Sequence, residues 1–150
     1  MNIEYVNIGE SHAKKMSLED TIIFQCIHMA KHMTSKGFGI RRLVDFTLLV
    51  NKNEIEVDWL NLLERCKKYG IYKFILKVML ASNKLFDMTI PKEINFILIK
   101  EDKSYLDEFI RYILESGVHG RENLEAVMTS YLACNENKED ANNDSPLRIC

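Results

Sequence analysis

No surplus of either charge marks this sequence: 20 lysines and arginines stand against 22 aspartates and glutamates, a formal net charge of −2 with a pI near 6.1. That balance removes any global electrostatic case for nucleic acid or an anionic membrane as the main partner, and leaves room only for a local basic patch. There is no run of 18 apolar residues, and Met1 is not followed by a basic segment and an apolar stretch. Neither a transmembrane helix nor a secretory leader is therefore expected. The four cysteines, Cys26, Cys66, Cys134 and Cys150, lack any CxxC spacing. The expectation is a soluble, cytoplasmic protein with free thiols, Cys26 and Cys66 serving as small core residues and Cys150 lying exposed.

What the sequence does hold is apolar content: 47% of 150 residues. That suffices for one sizeable core, and the length leaves no room for a second full domain. Apolar residues recur at helical spacing through most of the chain, so the predicted fold is all-α, a bundle of about six helices over residues 1–133. The polar tail 134–150 is expected to be disordered. At the start, Asn2 to Ile8 alternates in the manner of a short strand, but without a partner strand elsewhere it reads as the torn edge of a sheet, and Gly9 to Met16 as a polar loop. In that loop His12, Lys14 and Lys15 are most simply solvated.

The stretch Ser17 to Val50 organises the rest. Ser17 and Asp20 have the form of a capping box, and Glu19 and Asp20 suit the positive end of a helix dipole. A helix from about residue 18 then buries Ile22, Ile23, Cys26, Ile27, Ala30 and Met33, and Gly37 ends it. A second helix, about Ile40 to Val50, is apolar nearly all round and is expected in the middle of the bundle. Later helices are predicted at Trp59–Tyr69, with Asp58 as N-cap and Gly70 as stop, at Ile71–Phe86, in a short helix opened by Pro91 and running through Ile94, Ile97 and Leu98, at Ser104–Ser116 and at Asn123–Ala133. Trp59 is expected to be a core anchor.

His28, Lys31, His32, Arg41, Arg42 and Asp45 all fall within the first two helices. Placed inside an apolar helix pair they must either pair internally or form a binding site, because buried ionisable groups are costly alone. Three cations, two imidazoles and one carboxylate suit phosphate recognition better than proton-transfer catalysis. His28 and His32 stand one turn apart, yet no glutamate completes an HExxH site and Lys31 repels cations, so no metal site is expected. Asp45 is expected to be buried and paired, with Arg41 or with His28, Lys31 or His32 across the helix pair.

In order, SLEDTIIFQCIHMAKH, RRLVDFTLLV, EVDWLNLLERCKKYGI, LFDMTIP and ILESGVHGRENLE resemble the helical C-terminal half of the uncharacterised nucleotidyltransferase family, found largely in bacteria, over about residues 15–125. The resemblance rests on the Leu18-Glu19-Asp20 helix opening, the HMAKH run that holds His28, Lys31 and His32, an RLVD run from Arg42 to Asp45, and an acidic residue with Trp before a helix ending in Gly. It implies a nucleotide or small-molecule acceptor as ligand, and magnesium with a nucleoside triphosphate as cofactor once a catalytic half is supplied. Family members resemble nucleotidyltransferases whose αβ domain carries a Gly-Ser turn for the triphosphate and a DxD strand for magnesium. Neither a Gly-Ser pair nor Asp-x-Asp occurs in this sequence, and Glu54 and Glu56, the comparable pair, follow the helices. No catalytic residue carries over. The chain is thus expected to be the helical, substrate- or nucleotide-binding half of such a protein, working with a missing or separate catalytic domain. The alternative is a non-catalytic helical interaction module.

Overall fold

The computed structural model describes residues 4–34, 37–101 and 103–117. Strands β1 (Glu4–Ile8) and β2 (Ser11–Lys15) precede helices α1 (Leu18–Met33), α2 (Ile40–Asn53), α3 (Trp59–Lys68), α4 (Tyr72–Phe86), α5 (Asn95–Lys100) and α6 (Leu106–Glu115). A 3-10 turn, Lys92–Ile94, leads into α5 directly after Pro91, whose fixed φ suits a helix entry. The predicted fold class holds: apart from the hairpin, the described chain is a helical bundle.

The helix ends lie where the local chemistry puts them. The Ser17 side chain accepts from the Asp20 backbone N–H at 3.1 Å, and Asp58 accepts from the Asn61 N–H at 3.0 Å, each satisfying one of the orphan donors of a first turn. At the end of α3, Gly70 adopts φ 70°, a left-handed conformation that disfavours side chains. Its N–H donates to the Lys67 carbonyl and that of Ile71 to the Cys66 carbonyl, a Schellman closure. At α2 the cap is Gly39, which has no side chain, and the Ile40 N–H is satisfied by the Gly117 carbonyl at the end of α6.

The central helix is α4. Nine consecutive residues, Phe74 to Ser82, are buried, and α4 packs against α1, α2, α3 and α6. Lys77 is accommodated there by laying its ammonium over the Tyr105 ring, 5.7 Å from the centroid. Phe38, Phe74 and Phe109 meet edge to face with centroids 6.0–6.2 Å apart, joining α4, α6 and the chain entering α2. Trp59 is buried as expected, its indole N–H donating to the Glu54 carbonyl at 2.9 Å, and Cys26 and Cys66 are buried free thiols.

Two expectations are corrected here. α2 is not the middle of the bundle: Leu43, Phe46, Thr47 and Val50 face inward, while Arg41, Arg42, Asp45, Leu48 and Lys52 share an exposed face. Its charges sit at intervals of three to four residues, so they fall on one side and leave a solvent-facing stripe. The N-terminal strand is not alone either. β1 pairs antiparallel with β2, from Ile8 opposite Ser11 to Glu4 opposite Lys15, around a tight Gly9-Glu10 turn. The segment read as a polar loop is therefore the second strand. It escaped pattern reading because SHAKK is solvent-exposed on nearly every residue and carries no apolar alternation. The expected helix at Asn123–Ala133, the tail and Cys150 lie outside the described residues.

Candidate functional site

α1 and α2 pack together, and along their seam lies a groove of about 130 Å³ lined by Phe24, Gln25, His28 and Met29 from α1 and Arg42 and Asp45 from α2. Helical spacing explains the set. Residues 24, 25 and 28 occupy one flank of α1 beside its buried stripe, Met29 belongs to that stripe, and residues 42 and 45 are three apart on the outer side of α2.

Three rings climb α1 at intervals of one turn. Phe24 and His28 are nearly parallel, with an interplanar angle of 22° and centroids 6.1 Å apart, and His28 meets His32 edge to face at 4.4 Å. The Nε2 atoms of His28 and His32 are 3.0 Å apart. At that distance one Nε2 carries the hydrogen and the other accepts it; two protonated nitrogens cannot face each other. Burial, then the positive charges of Arg42, His32 and Lys31, hold the His28 pKa below the ordinary histidine value. The surroundings thus favour the neutral form of His28, which can donate or accept a hydrogen bond in the groove.

Arg41 and Arg42 occupy the first turn of α2, which contains no acidic residue. That end carries the positive pole of the helix dipole, where cations are unfavourable by some tenths of a kcal/mol each. Lys31 and His32, by contrast, lie in the last turn of α1, where the dipole favours them. Arginines placed against a local rule at the rim of a groove raise the positive potential there, the arrangement an anion would use.

Of the six residues singled out from the sequence, the groove unites His28, Arg42 and Asp45. His32 adjoins it through His28, Lys31 contributes positive charge to His28 from the exposed side of α1, and Arg41 faces solvent outside the lining. The expected buried network is overturned. Lys31, Arg41, Arg42 and Asp45 are exposed and only the two histidines are partly buried. Among the described residues no ion pair joins Asp45 to Arg41 or Arg42. The cluster is not a neutralised core but a charged rim, because the exposed face of α2 carries it. The same residues hold no group of three or more metal-ligating side chains. Phe24, Gln25 and Met29 were missed by pattern reading; the available signal was an aromatic residue on the polar flank of α1 exactly one turn before His28.

The acidic pair at the start of α1 serves the fold. The Asp20 carboxylate accepts from the Arg65 guanidinium of α3, and Glu19 Oε1 receives the Asp58 N–H at 3.4 Å. The Glu19-Asp20 pair thus straps the start of α1 to the N-cap and second turn of α3, and neither residue is in the groove lining. Glu54 and Glu56 lie in the turn between α2 and α3, not on a strand.

A family model described as an uncharacterised nucleotidyltransferase matches residues 2–87, from the hairpin through the end of α4. The match includes the hairpin and stops short of the residue 125 limit expected from the sequence motifs. No curated protein and no solved structure matches the chain.

Proposed function

Since this chain belongs to the uncharacterised nucleotidyltransferase family, we propose that it is the helical, substrate- or nucleotide-binding part of such a protein and is not catalytic by itself. Its site is the α1–α2 groove, where Arg42 receives a phosphate or other anionic group and neutral His28 adds a hydrogen bond. Lys31, His32 and Arg41 supply surrounding positive charge. Magnesium and the alignment of a triphosphate belong to a catalytic domain with a Gly-Ser turn and strand carboxylates, acting as another chain or another segment. Supporting this reading is one observation above the rest: Arg42 stands at the positive end of α2, against the helix dipole, and lines a groove with His28.

The test is calorimetric titration of tripolyphosphate into the full chain and into Arg42→Ala. A charge-assisted contact of ordinary strength predicts a loss of roughly tenfold to a hundredfold in affinity. Because Arg42 is exposed, the variant's circular dichroism and melting temperature are expected to match the parent. Equal binding by both proteins would overturn the assignment. The second reading, a non-catalytic interaction module, is favoured by Ile55 at 97% exposure and by Tyr5 and Ile8 exposed on the hairpin. It requires no anion binding together with a defined complex that Ile55→Ser or Tyr5→Ser disrupts.

A further inference from the structure

We propose that Phe24 and His28 form a stacking shelf for a planar aromatic ring carried by the same ligand whose anionic group Arg42 receives. The proposal rests on the anion-site reading above and deepens it: the ligand is an aromatic phosphate ester, such as a nucleoside phosphate, and Phe24 is its specificity-determining residue. Phe24 is a large aromatic side chain left 58% exposed on a helix whose neighbouring Ile22, Ile23 and Cys26 are fully or almost fully buried. Its ring is nevertheless held, lying nearly parallel to His28 one turn on. The 6.1 Å between the two centroids is shorter than the roughly 7 Å needed to insert a ring between them at two contact distances. A ligand ring therefore stacks on the groove-lining side of Phe24, not between the pair.

The other lining residues complete the chemistry. Met29 supplies a polarisable apolar wall that suits an aromatic edge, and Gln25 brings two N–H donors and a carbonyl acceptor able to meet the polar edge of a heterocycle. Arg42 and Asp45 stand on the opposite helix, so ring and phosphate are received by different walls. A groove of about 130 Å³ is too small to enclose a whole nucleotide, so the ring lies on the α1 wall, the anionic group meets exposed Arg42 at the α2 rim, and the remainder of the ligand stays in solvent. The apolar wall would add nothing for an inorganic anion.

The experiment titrates ATP and tripolyphosphate, both without metal, into the full chain, Phe24→Leu and Arg42→Ala, with circular dichroism confirming that each variant folds. Stacking of one base predicts ATP binding about tenfold tighter than tripolyphosphate. Phe24→Leu is expected to erase that advantage and leave tripolyphosphate affinity unchanged, whereas Arg42→Ala weakens both. Adenine H2 and H8 resonances should move upfield on binding to the parent and not to Phe24→Leu. Equal affinity of the parent for the two ligands, or equal weakening of both by Phe24→Leu, overturns the stacking shelf while leaving the anion site standing. Absence of binding by both ligands overturns the shelf and the anion site together.

Discussion

Replacing Asp20 by alanine isolates the strap between α1 and α3. The carboxylate accepts from the Arg65 guanidinium, and the two side chains retain 34% and 29% of their accessible surface. A hydrogen bond between charged groups is worth about 1.5–3 kcal/mol and an exposed ion pair about 0–1. Partial exposure places this one between the two, so Asp20→Ala should cost about 1–1.5 kcal/mol at pH 7. With a urea dependence of roughly 1.5–2 kcal/mol per molar, the midpoint should fall by about 0.5–1 M. The pH dependence has a definite sign. The Arg65 hydrogen bond, helped by that of Ser17, holds the Asp20 pKa below its ordinary value. Its contribution is complete above the unfolded-state pKa of about 3.9 and disappears as pH falls through the lower folded-state value. Urea melts of the parent and the variant should therefore differ most at pH 5–7 and converge below pH 4. A double-mutant cycle with Arg65→Ala should return a coupling near 1 kcal/mol. A cost below about 0.3 kcal/mol at pH 7, or a cost that persists unchanged in acid, would refute the strap.

Asp45→Ala should change stability by no more than about 0.5 kcal/mol, the usual range for an exposed site, because its carboxylate has neither burial nor an arginine partner among the described residues; a urea midpoint shift equivalent to 3 kcal/mol would restore the buried network. Sulfate, whose charge is constant from pH 5 to 8, should bind more tightly as pH falls through the lowered pKa of His28, since protonation adds a positive charge to the groove, and His28→Gln should flatten that profile. A pH-independent sulfate affinity in the parent protein would place His28 outside the anion site. Tyr112 has a buried hydroxyl without a hydrogen-bond partner among the described residues, so Tyr112→Phe should be neutral or stabilising by up to about 1 kcal/mol in thermal melts; a loss larger than that would mean the hydroxyl is satisfied.

The helices were legible because their ends carry local chemistry: the Ser17 and Asp58 caps, Gly70 and Pro91 each act within a few residues of themselves. The choice of central helix was not. α2 and α4 both read as strongly apolar, and only tertiary packing reveals that Arg41, Arg42, Asp45 and Leu48 fall on one free face while Lys77 is taken into the core of α4 against Tyr105. β2 was invisible for the reason that a strand exposed on both faces has no alternation to detect. For the groove, His28, Arg42 and Asp45 stood out as charges within apolar helices. Phe24 and Met29 carry no charge and fell outside the predicted buried stripe, so nothing marked them, since a sequence does not say which flank of a helix meets its neighbour. Gly37 shows a further limit. Its φ of 70° and the space around it, where a Cβ would press on the Tyr112 hydroxyl and lie 2.8 Å from Ser116 Oγ, demand glycine for a contact 75 residues away in sequence, beyond its role as a helix stop.

The charged rim also bears on how the chain would work with a catalytic domain. Lys31, Arg41 and Arg42 are exposed on α1 and α2, so the phosphate proposed to bind there would remain open to a second protein surface. A buried, self-neutralised network would have closed that route.

The most direct measurement is a two-dimensional nitrogen–proton and histidine side-chain NMR titration of the full chain with tripolyphosphate. The account predicts saturable shifts centred on Phe24, His28, Arg42 and Asp45, with α3 and α4 undisturbed. Unsaturable shifts, or shifts centred on the exposed basic strand at His12, Lys14 and Lys15, would contradict it.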